Sequence, residues 1–362
     1  QVFFCDSCSL IQLGNAVDPT IMFKEYLYTS GVSTAFKDHL DSFAKLLVER
    51  FNITSNDLVI DIASNDGTLL SCFAKHHVKI LGVEPSNTAK IARANGIPTI
   101  NDFFDENIAK EILAKYGKAK VITATNVFAH VKNLDSFMNG IKLLLDDNGA
   151  FVSESQYLVD IIEKLEYDTI YHEHLRYYRL QPLLRLFDRY DMEVFDAERV
   201  PAQGGSIRVF ASHKGKFNVS QSVENIIKKE DEANLSSLKT YKEFAERVAE
   251  NKLNLRSILL DLKSKGKKIV GISAPARSST ILNYCEINSD ILTYITEKSL
   301  LKIGKFTPGT HIEVVDDKML VEEQPDYALL LSWHLGDSII SKIKNDGYKG
   351  KIIIPLPEPI IV

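Results

Sequence analysis

The residues best suited to proton chemistry lie together in one short stretch, 167–178, which reads Tyr-Asp-Thr-Ile-Tyr-His-Glu-His-Leu-Arg-Tyr-Tyr. His172 and His174 are natural candidates for accepting a proton, because the unperturbed pKa of histidine lies closest to neutrality. Tyr171 and Glu173 could orient an imidazole or stabilise a developing oxyanion. The alternative interpretation is the polar start of a helix, with tyrosines packed inward and charges solvated. Crowded titratable groups occur in both settings, so this stretch alone favours neither.

The elements that must position these side chains alternate between strands and helices. Apolar segments typical of strands occur at 58–62, 80–83, 97–101, 120–125 and 150–154. Helical segments accompany them, and the first contains Phe36, Leu40, Phe43, Leu46 and Leu47 at helical spacing. Such alternation predicts βαβ units and a parallel sheet, and hence an α/β fold. An antiparallel strand pair is expected at 192–195 and 207–212, and two scaffold helices within 221–266.

Ligands of a parallel sheet bind beyond the carboxyl ends of its strands. At that edge the sequence places a turn of small residues, 63–67, and the acid Glu84 at the end of the second strand. Small residues let backbone N–H groups approach a cofactor, and Glu84 is placed to accept hydrogen bonds from ribose hydroxyls. The turn lacks a GxGxxG motif, and there is no P-loop or GxSxG elbow. This combination is typical of S-adenosylmethionine-dependent methyltransferases, and a generic nucleotide-binding α/β domain is the alternative.

A second, smaller α/β unit is predicted near the end of the chain, with strands at 268–272, 327–331 and 351–355. Ser278 and Ser279 follow Arg277 where a helix begins, and together they make a plausible seat for phosphate groups. An ordinary helix cap is the alternative for the two serines.

Length and composition narrow the class of protein. A chain of 362 residues suggests two or three domains at roughly 100 to 200 residues each. The formal net charge of −5 gives no electrostatic case for binding nucleic acid, and no apolar run approaches the roughly 18 residues of a membrane span. Four cysteines without a secretory signal predict a protein of the reducing cytoplasm.

Cys5 and Cys8 form a CxxC pair, which is half of a tetrahedral zinc site. Cys72 and Cys285 lie far apart and cannot form a second pair. Either the other pair lies upstream of Gln1, or Cys5 and Cys8 are a reduced remnant.

Taken in order, these motifs resemble the sugar C-methyltransferases, S-adenosylmethionine-dependent enzymes that methylate a carbon of a nucleotide-linked keto-deoxysugar. The resemblance covers essentially the whole chain. It rests on Cys5-x-x-Cys8, Tyr26-x-Tyr28, the turn 64–68, Glu84-Pro85-Ser86, His130, the tetrapeptide 171–174, Gly204-Gly205-Ser206, the segment 274–280, Asn283-Tyr284-Cys285 and the segment 307–312.

The resemblance implies a class I methyltransferase Rossmann-like sheet with a second, C-terminal Rossmann-like domain and a truncated zinc-ribbon-like N-terminal segment. The expected limits are 1–30 for the zinc-binding segment, 31–215 for the methyltransferase domain, and 216–362 for the helical spacer and C-terminal domain. Zinc would be structural and would need the second CxxC pair. The family usually has Glu-x-Gly at the cofactor turn, where this chain has Asp61-Ile62-Ala63, which keeps the charge and the small size.

The resemblance also implies binding residues. The expected cofactor contacts are Asp61, Ala63, Ser64, Asn65, Asp66, Gly67, Glu84, Pro85 and Asn126. The expected substrate contacts are Tyr26, Tyr28, Arg277, Ser278, Ser279, Asn283, Tyr284, Lys302, Thr307 and His311.

In the implied reaction His174 removes a proton next to a ketone, and the resulting enolate carbon is methylated. His172 could replace His174, since residues two apart share a face of an extended segment. Tyr171 and Glu173 would position the sugar and the base, and His130 could hydrogen-bond the keto oxygen. The expected partner is a nucleotide sugar, with no nucleic acid or membrane, and the expected state is a monomer. The alternatives are an O- or N-methyltransferase acting on a nucleotide sugar and a non-catalytic nucleotide-sugar-binding protein.

Overall fold

Two mainly parallel sheets organise the chain, as the alternation of strands and helices predicts. A computed structural model describes residues 1–32 and 34–362. It divides into two units: the first comprises Gln1–Val159 and His172–Ser236, and the second comprises Asp160–Tyr171 and Ser237–Val362. Among the described residues, no helix combines the length and the apolar character needed to cross a membrane.

The first unit contains strands β1 to β10 and most of helices α1 to α9. The strands are β1 (Val2–Phe4), β2 (Ile11–Leu13), β3 (Leu58–Ile62), β4 (Lys79–Val83), β5 (Thr99–Ile100), β6 (Ala119–Thr125), β7 (Leu145–Gln156), β8 (Arg176–Tyr177), β9 (Met192–Val200) and β10 (Ser206–His213). The helices are α1 (Pro19–Phe23), α2 (Thr34–Arg50), α3 (Thr68–Ala74), α4 (Ala89–Ala94), α5 (Glu106–Tyr116), α6 (Leu134–Leu144), α7 (Leu158–Glu163), α8 (Leu180–Arg189) and α9 (Gln221–Glu232). Helix α7 crosses the boundary, and its residues from Asp160 onward belong to the second unit.

The large sheet of this unit has the strand order β5-β4-β3-β6-β7-β10-β9. Strands β3 to β7 are parallel, and β10 is antiparallel to both β7 and β9. The predicted parallel sheet and terminal antiparallel pair are therefore confirmed. Because β3, β4 and β6 are neighbours, the turns that follow them lie at one edge of the sheet.

Helix α2 covers the sheet with an apolar face at the predicted spacing. Leu40, Phe43 and Leu47 are each at most 2% exposed, and they belong to a core cluster that includes Val59 and Leu70. Burial of each such side chain contributes roughly 1.5 to 3 kcal/mol of favourable transfer free energy.

The N-terminal segment belongs to the first unit, contrary to the predicted boundary at residue 30. Strands β1, β2 and β8 form a small antiparallel sheet in which Ile11 pairs with Tyr177. The predicted boundary at 215 also differs, because α9 packs on β9 within the first unit.

The second unit has strands β11 to β16 in the order β13-β12-β11-β14-β15-β16, parallel except for β16. The strands are β11 (Ile269–Ile272), β12 (Ile295–Glu297), β13 (Val314–Asp316), β14 (Tyr327–Leu330), β15 (Lys351–Ile354) and β16 (Ile360–Ile361), and the helices are α10 (Leu238–Ser264), α11 (Ser278–Tyr284), α12 (Lys318–Glu323) and α13 (Gly336–Asn345). Helix α10 buries Leu255 and Leu259 in a core with Leu282, Ile295 and Leu329. The two predicted scaffold helices are thus confirmed as helices, one in each unit.

Candidate active site

The histidine-rich stretch is a loop, so its interpretation as the start of a polar helix is wrong. A single 3-10 turn spans Tyr167–Thr169, Tyr171 lies in a bend, residues 172–173 form a turn, and β8 begins at Arg176. The boundary between the two units falls inside this loop, after Tyr171, which is half-buried in the second unit.

Two of the three histidines predicted to be catalytic come together in the first unit. The imidazoles of His130 and His174 stack with ring centroids 5.0 Å apart, and Phe23 stacks on His130 at 5.6 Å. His174 is 9% exposed, whereas His172 is exposed. Burial lowers the pKa of His130 well below its ordinary value, and the neighbouring His174 adds to that effect. His130 is therefore a neutral imidazole at pH 7, with one nitrogen donor and one nitrogen acceptor.

Glu173 faces the aromatic lead-in to helix α2. The Tyr26 hydroxyl donates a hydrogen bond to Glu173 Oε2 at 2.9 Å. Burial raises the pKa of Glu173, and the hydrogen bond from Tyr26 partly offsets that rise. Tyr28 packs edge-on against Tyr26, with ring centroids 6.4 Å apart, and is itself exposed.

The turn after β3 has an unusual backbone. Ala63, Asn65 and Gly67 all have positive φ, at 52°, 53° and 79°. A side chain at Gly67 would be strained by that conformation, and its Cβ would lie 3.0 Å from Ile97 Cγ1. Asn126, directly after β6, is also left-handed with φ of 57°. Strained backbone of this kind concentrates at functional sites, and here it lies at the ligand-binding edge of the sheet.

Glu84 is buried at the end of β4 and retains hydrogen-bonding capacity. Its Oε2 accepts from the Asn65 backbone N–H and its Oε1 from the Ser86 backbone N–H, both at 2.8 Å. A carboxylate has about four acceptor positions, so each oxygen can accept one further hydroxyl. Pro85 follows it and is half-buried.

The side chains of Asp61 and Ser64 are buried against the neighbouring strands. Asp61 Oδ1 accepts a hydrogen bond from the Thr123 hydroxyl at 2.6 Å. Burial raises the pKa of Asp61 to about 7, with a smaller contribution from the charge of Glu84. The Ser64 hydroxyl packs against Gly82, where an added Cβ would lie 2.4 Å from Ser64 Oγ. These two side chains therefore support the sheet and the turn from within.

The side chains of Asn65 and Asp66 bind the protein's own backbone. Asn65 donates from Nδ2 to the Tyr28 carbonyl at 3.1 Å and accepts from the Ser30 backbone N–H at 3.0 Å. Asp66 Oδ2 accepts from the Gly31 backbone N–H at 2.9 Å. That both contact the cofactor stays a prediction, and their side chains hold the segment that carries Tyr26 and Tyr28.

Arg277 is not available to a phosphate group in this structure. Its guanidinium is buried and donates to both oxygens of Asp168, at 2.6 and 2.7 Å, and to Glu166 Oε2 at 3.1 Å. Trp333 Nε1 also donates to Asp168, at 2.8 Å. Two carboxylates already neutralise the cation. Arg277 therefore belongs to a buried ion-pair cluster within the second unit, and not to the phosphate-binding site that was predicted.

The other predicted substrate residues of the second unit make local contacts. Ser278 donates its hydroxyl to the Pro275 carbonyl at 2.7 Å, and among the described residues no side chain caps the N-terminus of α11, so the cap predicted as the alternative for the serines is absent there. Asn283 Nδ2 donates to the carbonyls of Ser279 and Pro308, at 2.8 and 3.0 Å, and so joins α11 to the 307–311 loop. Lys302 Nζ donates to the Ala274 carbonyl at 2.9 Å, and the Thr307 and Thr310 hydroxyls hydrogen-bond to each other at 2.7 Å. The Tyr284 ring packs edge-on against that of Tyr167. His311 is exposed.

Cys5 and Cys8 share one turn, in which the Ser9 backbone N–H donates to the Cys5 carbonyl at 2.7 Å. Two thiols supply only half of a tetrahedral zinc site. Within residues 1–32 and 34–362, no group of three or more His, Cys, Asp or Glu side chains is arranged to hold a metal ion.

Known proteins match the chain along its whole length. A methyltransferase domain model matches residues 36–197, and a C-methyltransferase C-terminal domain model matches residues 201–357. The C-methyltransferase NovU of Streptomyces niveus is 31% identical over 367 aligned positions, which cover 100% of this chain and 87% of NovU.

Solved structures match part of the chain. Magnesium protoporphyrin IX methyltransferase from Synechocystis PCC 6803, with bound SAH, is 12% identical over 52% of this chain and 90% of that protein, with a TM-score of 0.39. The PH0226 protein from Pyrococcus horikoshii OT3 is 15% identical over 55% of this chain and 97% of that protein, with a TM-score of 0.40. On the strength of the full-length relative and the two domain models, the chain belongs to the S-adenosylmethionine-dependent C-methyltransferases.

Proposed function

We propose that the protein methylates a carbon next to the ketone of a nucleotide-diphosphate-linked deoxysugar, through an enolate formed with His174 as the base. The observation that carries the proposal is the buried His174 imidazole stacked on His130, with Glu173 beside it bound to Tyr26. The substrate class rests on the sequence motifs that resemble the sugar C-methyltransferases.

A carbon next to a ketone becomes acidic because the anion left on deprotonation is delocalised onto oxygen. An enzyme therefore needs a base at the carbon and a hydrogen-bond donor at the oxygen. The neutral His174 imidazole would take the proton, and the two electrons of the C–H bond would form the enolate. The lowered pKa of His130 keeps its imidazole neutral. The N–H of that ring would donate a hydrogen bond to the enolate oxygen.

The stacked pair suits this division of roles. When His174 gains the proton it becomes a cation beside His130, and His130 resists protonation because it is buried. Two adjacent imidazolium rings would repel each other, so only one proton is stored by the pair. Glu173 would orient the sugar or the imidazolium, with Tyr26 holding its carboxyl group.

S-adenosylmethionine supplies an electrophilic methyl group when it is bound. The residues at the carboxyl edge of the large sheet fit it, because Glu84 has one free acceptor position on each oxygen for a pair of ribose hydroxyls. The backbone of 63–67 and Asn126 would complete that site. Asn65 and Asp66 would contribute through the turn conformation rather than through their side chains.

The proposal includes a monomeric protein and a zinc ion with a purely structural role. Cys5 and Cys8 would bind structural zinc only together with two further ligands, and the part of the chain that the structure describes does not supply them.

The test is incubation of the protein with S-adenosylmethionine and a panel of nucleotide-linked keto-deoxysugars in deuterated water, followed by mass spectrometry. We expect one added methyl group on the sugar, and deuterium at the reacting carbon of sugar recovered without cofactor. Methyl transfer to oxygen or nitrogen, located by fragmentation, would contradict the proposal. Absence of methyl transfer to every sugar of the panel, with intact cofactor binding, would contradict the substrate class.

A further inference from the structure

Residues 24–31, which we call the Tyr26 segment, are held at both ends by side chains from turns at the edge of the large sheet. We propose that Asn87 is a positioning residue for the reaction, which fixes the Tyr26 end of this segment so that the Tyr26 hydroxyl holds Glu173. This inference rests on the proposed function, because it takes Glu173 to act in the reaction. No sequence motif points to Asn87, which is an exposed residue between Ser86 and helix α4.

Asn87 binds the backbone on both sides of Glu25. The Tyr26 backbone N–H donates to Asn87 Oδ1 at 2.9 Å, and the Asn87 backbone N–H donates to the Lys24 carbonyl at 3.1 Å. Together the two hydrogen bonds hold the backbone at Lys24 and at Tyr26. Only the first of them depends on the Asn87 side chain, so a substitution can release Tyr26 while leaving the second bond in place.

The hydrogen bond between Tyr26 and Glu173 joins residues 147 positions apart in the sequence. Its geometry therefore depends on how firmly the backbone of Tyr26 is held in place. Its donor–acceptor distance is 2.9 Å, and a hydrogen bond is essentially lost by about 3.6 Å. A backbone movement of less than about 1 Å at Tyr26 would therefore release the Glu173 carboxyl group. The ring contacts of Tyr26 are edge-on, with Phe23 at 5.8 Å and Tyr28 at 6.4 Å between centroids, and such contacts tolerate sliding better than a hydrogen bond does.

The other end of the segment is held independently. Asn65 binds Tyr28 and Ser30, and Asp66 binds Gly31. Loss of the Asn87 side chain therefore leaves the turn 63–67 and its contacts unchanged. For this reason we expect Asn87 to affect turnover and the titration of Glu173, and not the affinity for S-adenosylmethionine.

The test is a double-mutant cycle of Asn87→Ala and Tyr26→Phe. The measured quantity is kcat for methylation of the sugar substrate that the wild type accepts. We expect each single variant to lower kcat about 3- to 10-fold, the effect of one net hydrogen bond. If Asn87 acts through Tyr26, the double variant is no slower than Tyr26→Phe. Asn87→Asp keeps the side-chain acceptor and should restore wild-type kcat. Asn107→Ala, an exposed asparagine on helix α5, is the matched control, and KM for S-adenosylmethionine should not change in any variant.

A second measurement does not require turnover. The Glu173 carboxyl group is titrated by carbon-13 NMR in the wild type, Asn87→Ala and Tyr26→Phe proteins. Loss of the Tyr26 hydrogen bond removes the interaction that lowers the Glu173 pKa, so both variants should titrate at higher pH than the wild type. Independent, multiplicative losses of kcat, or a shift in Tyr26→Phe without one in Asn87→Ala, would overturn the inference. A wild-type protein that methylates no sugar would contradict the proposed function, while the NMR titration would still decide the role of Asn87.

Discussion

The imidazole of His174 lies against that of His130, with 5.0 Å between ring centroids and 21° between their planes. The two residues are 44 positions apart, since His130 ends the 3-10 turn after β6 and His174 lies just before β8. The Leu175 backbone N–H donates to the Ala129 carbonyl at 3.0 Å and fixes the two loops side by side. The stacking on His130 distinguishes the buried His174 from the exposed His172, and the sequence alone does not distinguish these two candidates.

We expect His174→Asn to slow proton removal strongly and His172→Asn to leave its rate unchanged. Loss of a general base typically lowers the rate about 10²- to 10⁴-fold. The measurement is deuterium uptake at the sugar carbon, together with methyl transfer. His172→Asn is the matched control, since it makes the same change two positions away on an exposed side chain. A His172→Asn protein that loses exchange while His174→Asn retains it would reverse the assignment.

Glu84→Gln should weaken the binding of S-adenosylmethionine. The substitution keeps the size of the side chain and removes the charge that strengthens hydrogen bonds from hydroxyl donors, each of which is worth about 1.5 to 3 kcal/mol to a charged group. We expect the Kd to rise about 10- to 100-fold in calorimetric titration. Glu106→Gln on helix α5 is the control, because it removes the same charge from a carboxylate that is already paired with Lys110. An unchanged Kd for Glu84→Gln would mean that the cofactor binds elsewhere.

Arg277→Met should destabilise the second unit without acting on phosphate binding. The change leaves Asp168 and Glu166 buried without their cation, and breaking a buried pair in this way typically costs about 3 to 5 kcal/mol. Denaturant unfolding measures the loss. Lys265→Met, which breaks the exposed pair with Asp261, should cost far less, because water already solvates both side chains. A stable Arg277→Met protein with a weakened affinity for nucleotide sugar would restore the predicted anion seat.

The features predicted correctly from sequence depend on local pattern, and those missed depend on distant partners. Spacing along the chain is enough to predict helix α2 and the strands of the large sheet, and the end of a strand is enough to locate Glu84. Asn65 and Asp66 are 35 to 37 positions from the backbone groups of Tyr28, Ser30 and Gly31 that they bind, and Arg277 is 109 positions from Asp168. A polar residue beside a small-residue turn has the same sequence signature whether it binds a ligand or another loop, so only the folded chain distinguishes the two roles.

Asp61→Asn should change how stability depends on pH. In the folded protein the pKa of Asp61 is raised to about 7, against about 3.9 in an unfolded chain. Between these values the folded state binds more protons than the unfolded state, so the free energy of unfolding falls as pH rises and levels off above about pH 7. Asparagine does not titrate and removes this contribution.

The comparison is the free energy of unfolding of both proteins at pH 5 and at pH 8. At about 1.4 kcal/mol per pKa unit, the wild type should lose about 2 to 3 kcal/mol more than Asp61→Asn over this interval. Other groups with raised pKa values, such as Glu166, contribute equally to both proteins and cancel in the difference. Asp147→Asn, at an exposed carboxylate, should follow the wild type. Parallel pH profiles for Asp61→Asn and the wild type would show that Asp61 is ionised throughout, and that the Thr123 hydroxyl compensates for its burial.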